Sequence, residues 1–178
     1  MQVRGIHSRE RFEELVLPHL DAAYNLARWL ARDDHRAQDV VQDAILRALK
    51  FFDGFHGVNA RPWLLAIVRN TYLSSLKAVQ REDLRPDLDD ESAEADPNTN
   101  AYELDPSLAL ERKWERERIT RAMERMPLEF REVLVLRELE DMSYKEIAEI
   151  AGIPIGTVMS RLSRARRLLA ECLVREEG

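Results

Sequence analysis

The chain has 178 residues, of which 45% are hydrophobic and 34% charged, and its net charge of −6 argues against a nucleic-acid partner. That length can form one medium domain or two small ones. The single cysteine, Cys172, excludes an intramolecular disulfide framework and a cysteine-rich metal site. The longest apolar run, Trp63 to Val68, is too short to cross a bilayer, and no export signal begins the chain. We therefore expect a soluble, cytoplasmic protein without membrane insertion.

The acidic residues are concentrated in one stretch. Residues 1–81 contain 12 basic and 9 acidic side chains, and residues 112–178 contain 14 and 13. Residues 82–111 contain one basic and 11 acidic side chains, together with three prolines. Such a composition cannot bury enough apolar surface to offset the entropy of ordering. The sequence therefore predicts two domains, 1–81 and 112–178, joined by a flexible acidic linker, 82–111.

Helical periodicity dominates the first domain. One run of apolar residues at helical spacing is expected to bend or break at Pro18. The next helix has an N-cap at Asp33 or Asp34, and its apolar stripe runs from Ala37 to Leu49. A third helix should extend from about residue 61 to about residue 79.

The second domain is also predicted to be helical, since no segment shows the alternation of a strand. Ser143 and Glu146 form a capping-box start for a short helix that Gly152 ends. The last helix turns Val158 and Leu162 inward. This spacing is typical of a helix-turn-helix, although an ordinary helical hairpin can imitate it. The fold class is therefore all-α, with two small helical domains.

Two segments contain no acidic residue. Residues 54–81 carry two arginines in the middle, Arg61 and Arg69, followed by Lys77 and Arg81, and residues 150–170 carry four arginines. Helices that approach phosphate need such positive surfaces, although one basic helix alone is equally well explained as a solvated face. Two of them, one in each domain, favour contact with nucleic acid.

These features together resemble the extracytoplasmic function (ECF) sigma factors, small members of the bacterial sigma-70 family, over nearly the whole chain. The stretch DDHRAQDVVQDAILRALKFF resembles their polymerase-binding helix. The stretch FDGFHGVNARPWLLAIVRNTYLSSLKAVQR resembles their promoter-melting segment, and SYKEIAEIAGIPIGTVMSRLSRARRLL resembles their minus-35 reader. Three motifs in this order, with a linker between the second and third, make the resemblance strong.

The resemblance implies three functional surfaces. The residues that would bind the β′ clamp helices of core RNA polymerase are Asp39, Gln42 and Asp43. Those that would melt the minus-10 element and hold an unstacked base in a positive surround are Phe55, Arg69, Asn70 and Lys77. Those that would contact the minus-35 duplex are Thr157, Met159, Ser160, Arg161, Ser163 and Arg164.

One of these positions departs from the family pattern. Many members of the family have Arg or Lys where this chain has Met159, and Met cannot make a bidentate contact to guanine. We therefore expect the minus-35 preference to rest on Ser160, Ser163 and DNA shape. Trp63, Leu64 and Ile67 have the spacing of residues that pack together on one side of a helix. We therefore expect the indole of Trp63 in the core rather than on DNA.

The implied function is transcription initiation. The protein would bind core RNA polymerase through its β′ clamp helices and β flap, recognise promoter DNA, and be held inactive by an anti-sigma factor, often membrane-bound in this family. We expect no enzymatic activity, metal or cofactor, because the four histidines are scattered and no nucleophile motif occurs. One alternative is a stand-alone helix-turn-helix regulator. Another is a mimic that occupies a sigma-binding partner without touching DNA, which the two acid-free segments disfavour.

Overall fold

The computed structural model describes residues 2–82 and 106–175, and every regular element in these ranges is helical. Residues 2–82, here called the N-terminal unit, form α1 (Gln2–Val16), α2 (Leu20–Ala31), α3 (Asp34–Phe51) and α4 (Ala60–Glu82). Residues 106–175, the C-terminal unit, form α5 (Pro106–Arg125), α6 (Leu128–Leu134), α7 (Tyr144–Ala151) and α8 (Ile155–Arg175). The all-α prediction is confirmed.

Local sequence signals set the boundaries of the N-terminal helices. Pro18 lies in a single 3₁₀ turn, Leu17–His19, that separates α1 from α2, because proline cannot continue the preceding helix. Asp33 is the N-cap of α3, and its Oδ1 accepts a hydrogen bond of 2.6 Å from the backbone N–H of Arg36. Both predictions for this part of the chain are confirmed.

The core of the N-terminal unit lies between α2, α3 and α4, which pack on one another. Leu26 of α2 and Leu64 of α4 are fully buried, and α3 faces them with small residues such as Ala44 and Ala48, which allow close helix packing. The predicted stripe of α3 is wrong at its end. Leu49 is 51% exposed although Ala48 is buried, because it lies about 100° further round the helix, at the edge of the stripe with the partly buried Val41 and Ile45.

The C-terminal unit begins earlier than its composition suggests. The acidic linker was expected to continue to residue 111, but α5 begins at Pro106. Proline is suited to a first helical turn, since its missing N–H would have no intrahelical partner there. Residues 83–105, most of the predicted linker, lie outside the described residues.

The segment after α5 is buried on more than one side. Four successive residues, Val133 to Leu136, are buried where α6 passes into a π-helical turn, Val135–Leu139. A helix that is apolar all round needs neighbours on opposite sides. Here α8 covers one side and α2 of the N-terminal unit covers another.

The two units are in direct contact. In addition to the packing of α6 on α2, α7 packs against α4. The buried apolar residues of both units form one continuous cluster. The sequence pattern did not predict this contact between the two units.

The described helices also bear on membrane insertion. Across residues 2–82 and 106–175, no helix combines the length and the apolar character that crossing a bilayer requires.

Packing in the N-terminal unit yields a stability prediction. Leu64 is 0% exposed, so Leu64→Ala should lower the free energy of unfolding by about 2–5 kcal/mol through lost burial and a cavity. Leu46→Ala is the matched control, because Leu46 is 66% exposed and its truncation should change stability by less than about 0.5 kcal/mol. Urea unfolding followed by far-ultraviolet circular dichroism measures both. Similar losses in the two variants would contradict the packing described here.

Candidate nucleic-acid interface

The helix-turn-helix consists of α7, a turn at Gly152, and α8. The predicted capping box opens α7: Ser143 Oγ accepts from the Glu146 backbone N–H at 3.2 Å, and Glu146 Oε2 accepts from the Ser143 N–H at 2.8 Å. Gly152 ends α7 with φ of 65°, in the left-handed region that glycine adopts at low cost. Val158 and Leu162 of α8 are buried. The predicted cap, turn and anchors are confirmed.

The outward face of α8 is open to solvent. Of the residues predicted for the minus-35 duplex, four are exposed: Met159, Ser160, Ser163 and Arg164. Thr157 and Arg161 are partly buried at the margin of this face. Such an exposed helix face is what a recognition helix offers to a major groove.

Three arginines of α8 pair with acids of their own unit, one of them, Arg167, with Glu171 on the same helix at 3.8 Å. Arg161 Nη2 lies 3.4 Å from Glu129 Oε2, and Arg166 Nη2 lies 2.7 Å from Glu138 Oε1. The hydrogen bond with Glu138 raises the pKa of Arg166. Arg164 is exposed and makes no ion pair with any described residue, so it is available to a phosphate.

A second exposed face lies on α4. Asn70 and Lys77 are exposed and lie two helical turns apart, so their side chains project from the same side of the helix. Arg69 is adjacent in sequence but differs in environment. Its side chain is only 17% exposed, and its guanidinium forms an ion pair with Glu132 of α6 in the other unit. The structure leaves Asn70 and Lys77 accessible and covers Arg69.

Phe55 does not lie on this surface. Its ring is 8% exposed and packs on Trp63 and Phe52, with centroid separations of 4.8 and 6.0 Å. Gly57 permits this packing, because a Cβ at that position would lie 2.9 Å from the Phe55 ring. Trp63 packs against the core, as predicted. We therefore correct the expectation for Phe55: its ring shapes the loop before α4 and is not positioned to stack on a base.

The third face lies on α3 and is both acidic and apolar. Asp39, Gln42 and Asp43 are exposed on one side of the helix. Leu46 and Leu49 continue this side, with 66% and 51% of their surface exposed. Sequence reasoning missed both leucines, although a leucine within the polar side of a helix was the available signal. Exposed apolar residues beside polar ones are typical of a protein-binding surface.

The titratable groups indicate no metal centre. Within residues 2–82 and 106–175, no three His, Cys, Asp or Glu side chains are grouped so that they could hold a metal ion. Burial, assisted by the positive charge of Arg61, lowers the pKa of His19. That histidine lies in the turn between α1 and α2.

Taken together, the three faces define a class of protein. The helix-turn-helix presents the outer face of α8, α4 presents an amide and a lysine from a stretch without acids, and α3 presents carboxylates with leucines. The basic faces of α8 and α4 attract the phosphates of DNA, whereas the carboxylates of α3 are repelled by them. The face of α3 is therefore suited to binding a protein. The fold and these faces define a helical DNA-binding protein that has a helix-turn-helix in its C-terminal unit and a second basic helix in its N-terminal unit.

Comparison with known proteins narrows this class. Residues 15–82 match Sigma-70 region 2, and residues 116–169 match Sigma-70, region 4. The chain is 31% identical over 170 residues to the ECF RNA polymerase sigma factor SigE of Mycolicibacterium smegmatis, covering 94% of this chain and 63% of that protein. It is 32% identical over 168 residues to the RNA polymerase sigma-H factor of Pseudomonas aeruginosa, covering 93% of this chain and 87% of that one.

A solved structure agrees with these relatives. The chain is similar to the sigma factor RpoE of Bartonella quintana, crystallised with the anti-sigma factor NepR, with a TM-score of 0.77, 30% identity, and coverage of 92% of this chain and 97% of that one. This protein belongs to the sigma-70 family, among the ECF sigma factors. The alternative of a stand-alone regulator is wrong, because the N-terminal unit is itself a sigma region.

The capping box yields a second stability prediction. Ser143→Ala removes the side chain that satisfies the Glu146 N–H and should lower the free energy of unfolding by about 1 kcal/mol. Ser163→Ala serves as control, because Ser163 is exposed within α8, where alanine is the better helix former, and stability should stay equal or rise slightly. Urea titrations of both variants measure the difference. An unchanged midpoint for Ser143→Ala would show that the cap does not stabilise α7.

Proposed function

We propose that this chain is a non-enzymatic promoter-specificity subunit that acts in the cytoplasm. It binds core RNA polymerase, reads the minus-35 duplex with α8, and melts and captures the minus-10 strand with α4. The main support is that each of the two matched family regions includes a helix with a long acid-free segment. Region 2 ends on α4 and region 4 contains α7 and most of α8, and both helices carry the acid-free segments. Two separate helices thus offer cations to DNA over long stretches without a carboxylate, residues 60–81 of α4 and 155–170 of α8.

At the minus-35 element, α8 lies in the major groove. The hydroxyls of Ser160 and Ser163 are exposed and can hydrogen-bond to base edges, while Arg164 contacts phosphate. Met159 is 53% exposed and offers apolar contact rather than a bidentate hydrogen bond. Arg161 and Thr157 contact the backbone at the margin of the groove.

At the minus-10 element, α4 meets single-stranded DNA. The exposed amide of Asn70 can both donate to and accept from the Watson–Crick edge of an unstacked base. Lys77, on the same side of the helix, neutralises a nearby phosphate. Arg69 joins this surface once its ion pair with Glu132 opens.

The remaining surfaces serve proteins. Asp39, Gln42 and Asp43 bind the β′ clamp helices, with Leu46 and Leu49 supplying apolar contact beside them. The C-terminal unit contacts the β flap. The similar RpoE of Bartonella quintana was crystallised with an anti-sigma factor, and we propose that a protein of that kind restrains this chain too.

Transcription run-off tests the proposal directly. Purified protein added to core polymerase and fragmented genomic DNA should produce transcripts that begin at a defined set of promoters, because the chain supplies both minus-35 and minus-10 contacts. Sequencing of the transcript ends measures this, with core enzyme alone as control. If transcripts begin at the same positions with and without the chain, the proposed function fails.

Gel shifts at varied salt test the alternative of a mimic that occupies a sigma-binding partner without touching DNA. That alternative predicts no DNA binding at any salt.

A reciprocal pair of variants tests the division of labour. Asn70→Ala should slow open-complex formation about tenfold or more, through loss of one base contact, and leave minus-35 duplex binding nearly intact. Arg164→Ala should weaken duplex binding and leave minus-10 capture nearly intact, because it removes one phosphate contact. Each variant controls for the other. Permanganate footprinting of melted DNA and duplex gel shifts with holoenzyme measure the two activities, and equal losses of both in either variant would contradict the assignment.

A further inference from the structure

One charged side chain joins the helix α8 to two other parts of the C-terminal unit. Arg166 donates to Glu138 Oε1 from Nε at 3.1 Å and from Nη2 at 2.7 Å. Glu138 lies in the π-helical turn, Val135–Leu139. The hydrogen bond to Glu138 and a second one with the Tyr144 side chain both raise the pKa of Arg166. A single guanidinium thus links α8 to the π-helical turn and to the first residue of α7.

Tyr144 is held on a second side as well. The guanidinium carbon of Arg137 lies 5.2 Å from the centroid of its ring, in a cation–π contact. Arg137 is itself fixed, because its Nη1 donates to the carbonyl of Met142 at 2.9 Å. The Ser143 cap holds the backbone of the same helical turn. Arg166 therefore bonds to a side chain that its neighbours already hold in place.

The link lies at the open end of the helix-turn-helix. The turn at Gly152 joins the end of α7 to the start of α8, whereas Tyr144 lies at the far end of α7 and Arg166 in the second half of α8. Two points of contact define the angle between two helices more closely than one does. The turn supplies the first point, and the contact between Tyr144 and Arg166 supplies the second.

Arg166 also lies at the flank of the buried stripe of α8. It is about 80° further round the helix than the buried Val158, and Arg161, which pairs with Glu129, lies on the opposite flank. The exposed Ser163 lies on the outer face between these two flanks. Rotation of α8 about its own axis would therefore change where that face points, and ion pairs on both flanks oppose such rotation.

The surroundings of Arg166 do not favour a phosphate. The Glu138 carboxylate, 2.7 Å from its Nη2, offsets the charge of the guanidinium and repels an approaching anion. Arg164 is exposed and has no such carboxylate among the described residues. Arg167 pairs with Glu171 of the same helix, so that pair connects no separate elements. Among these three arginines, Arg166 is the one that connects α8 to its surroundings.

We propose that Arg166 is a positioning residue for minus-35 recognition: through Glu138 and Tyr144 it fixes the angle at which α8 presents its outer face to the duplex, and it does not contact DNA itself. The proposal rests on the assignment of α8 to minus-35 DNA. Glu138 and Arg166 are both half exposed, and such ion pairs contribute little to global stability. Loss of the pair should therefore affect orientation more than folding.

Glu138→Gln separates positioning from phosphate contact by the sign of its effect. Removal of a negative charge near DNA would by electrostatics alone strengthen duplex binding. If Glu138 holds Arg166 in place, the same change should weaken binding of holoenzyme to a promoter duplex about threefold or more, because the base contacts of α8 are misaligned. The probe is a duplex that carries a promoter identified by run-off, and gel shifts measure its binding.

Glu171→Gln is the matched control. It removes an equally exposed carboxylate from an arginine of the same helix, but it breaks no contact between elements. Duplex binding by this variant should stay equal or become slightly tighter, since only repulsion is removed.

Arg166→Gln should weaken duplex binding by a factor similar to that of Glu138→Gln. The slope of log affinity against log salt concentration should stay as in the wild type, whereas Arg164→Gln should reduce it by about one through loss of a phosphate contact. The double variant Arg166→Gln/Glu138→Gln should lose no more than either single variant. The exchanged pair Arg166→Glu/Glu138→Arg should recover most of the affinity, because the ion pair forms again and a glutamate can accept from the Tyr144 hydroxyl.

The angle between α7 and α8 can be measured without DNA. Residual dipolar couplings of the backbone amides of the free full-length chain should show a changed angle in Glu138→Gln and Arg166→Gln and the wild-type angle in Glu171→Gln. Urea midpoints close to the wild type in all three variants would exclude a general loss of folding. If Arg166→Gln alone loses helix by circular dichroism, Glu138→Gln decides the question.

The outcomes separate this proposal from the assignment of α8. Tighter binding by Glu138→Gln, or a reduced salt slope in Arg166→Gln, shows a phosphate contact and overturns positioning while the minus-35 assignment stands. An unchanged angle between α7 and α8 overturns positioning too. If Arg164→Gln changes neither affinity nor salt slope, the minus-35 assignment fails with it. Weaker binding with an unchanged slope, a changed angle and recovery in the exchanged pair supports the proposal.

Discussion

The buried ion pair between Arg69 and Glu132 connects the two units of the molecule at α4, the helix that we propose melts promoter DNA. A carboxylate that is 5% exposed stays charged at neutral pH only when a cation is close to it. Arg69 is that cation, and it comes from a segment without acids of its own. The pair therefore links the need for a positive helix in one unit to the burial of an acid in the other.

The distribution of charge along the sequence explains how a chain with a net charge of −6 can bind DNA. The charges are separated along the sequence, with 11 of the 33 acids in residues 82–111 and none on most of α4 or the first half of α8. Phosphate meets local charge within a Debye length rather than the total. Because each folded half has only a small positive excess, we expect strong promoter binding to depend on core polymerase.

Much of the fold could be predicted because its signals are local. Asp33, Ser143 and Gly152 act through hydrogen bonds and backbone angles within one helical turn, and the structure confirms them. Predictions that depended on surroundings were less accurate. Leu49 was assigned inward and is half exposed, and Phe55 was assigned to DNA and packs on Trp63, since exposure depends on which neighbours the fold supplies.

The sequence by itself determined the helices, the helix-turn-helix, the acid-free segments and the resemblance to ECF sigma factors, because periodicity, capping and charge are properties of neighbouring residues. Only the tertiary structure decided which of those surfaces are open. Arg69 and Glu132 are 63 positions apart, and Arg61 and Glu140 are 79 apart. No local pattern connects such residues, and their pairing depends on how α6 and α7 pack against α2 and α4. That packing leaves α8 exposed and covers Arg69, while Phe55 is buried by Phe52 and Trp63 within the N-terminal unit.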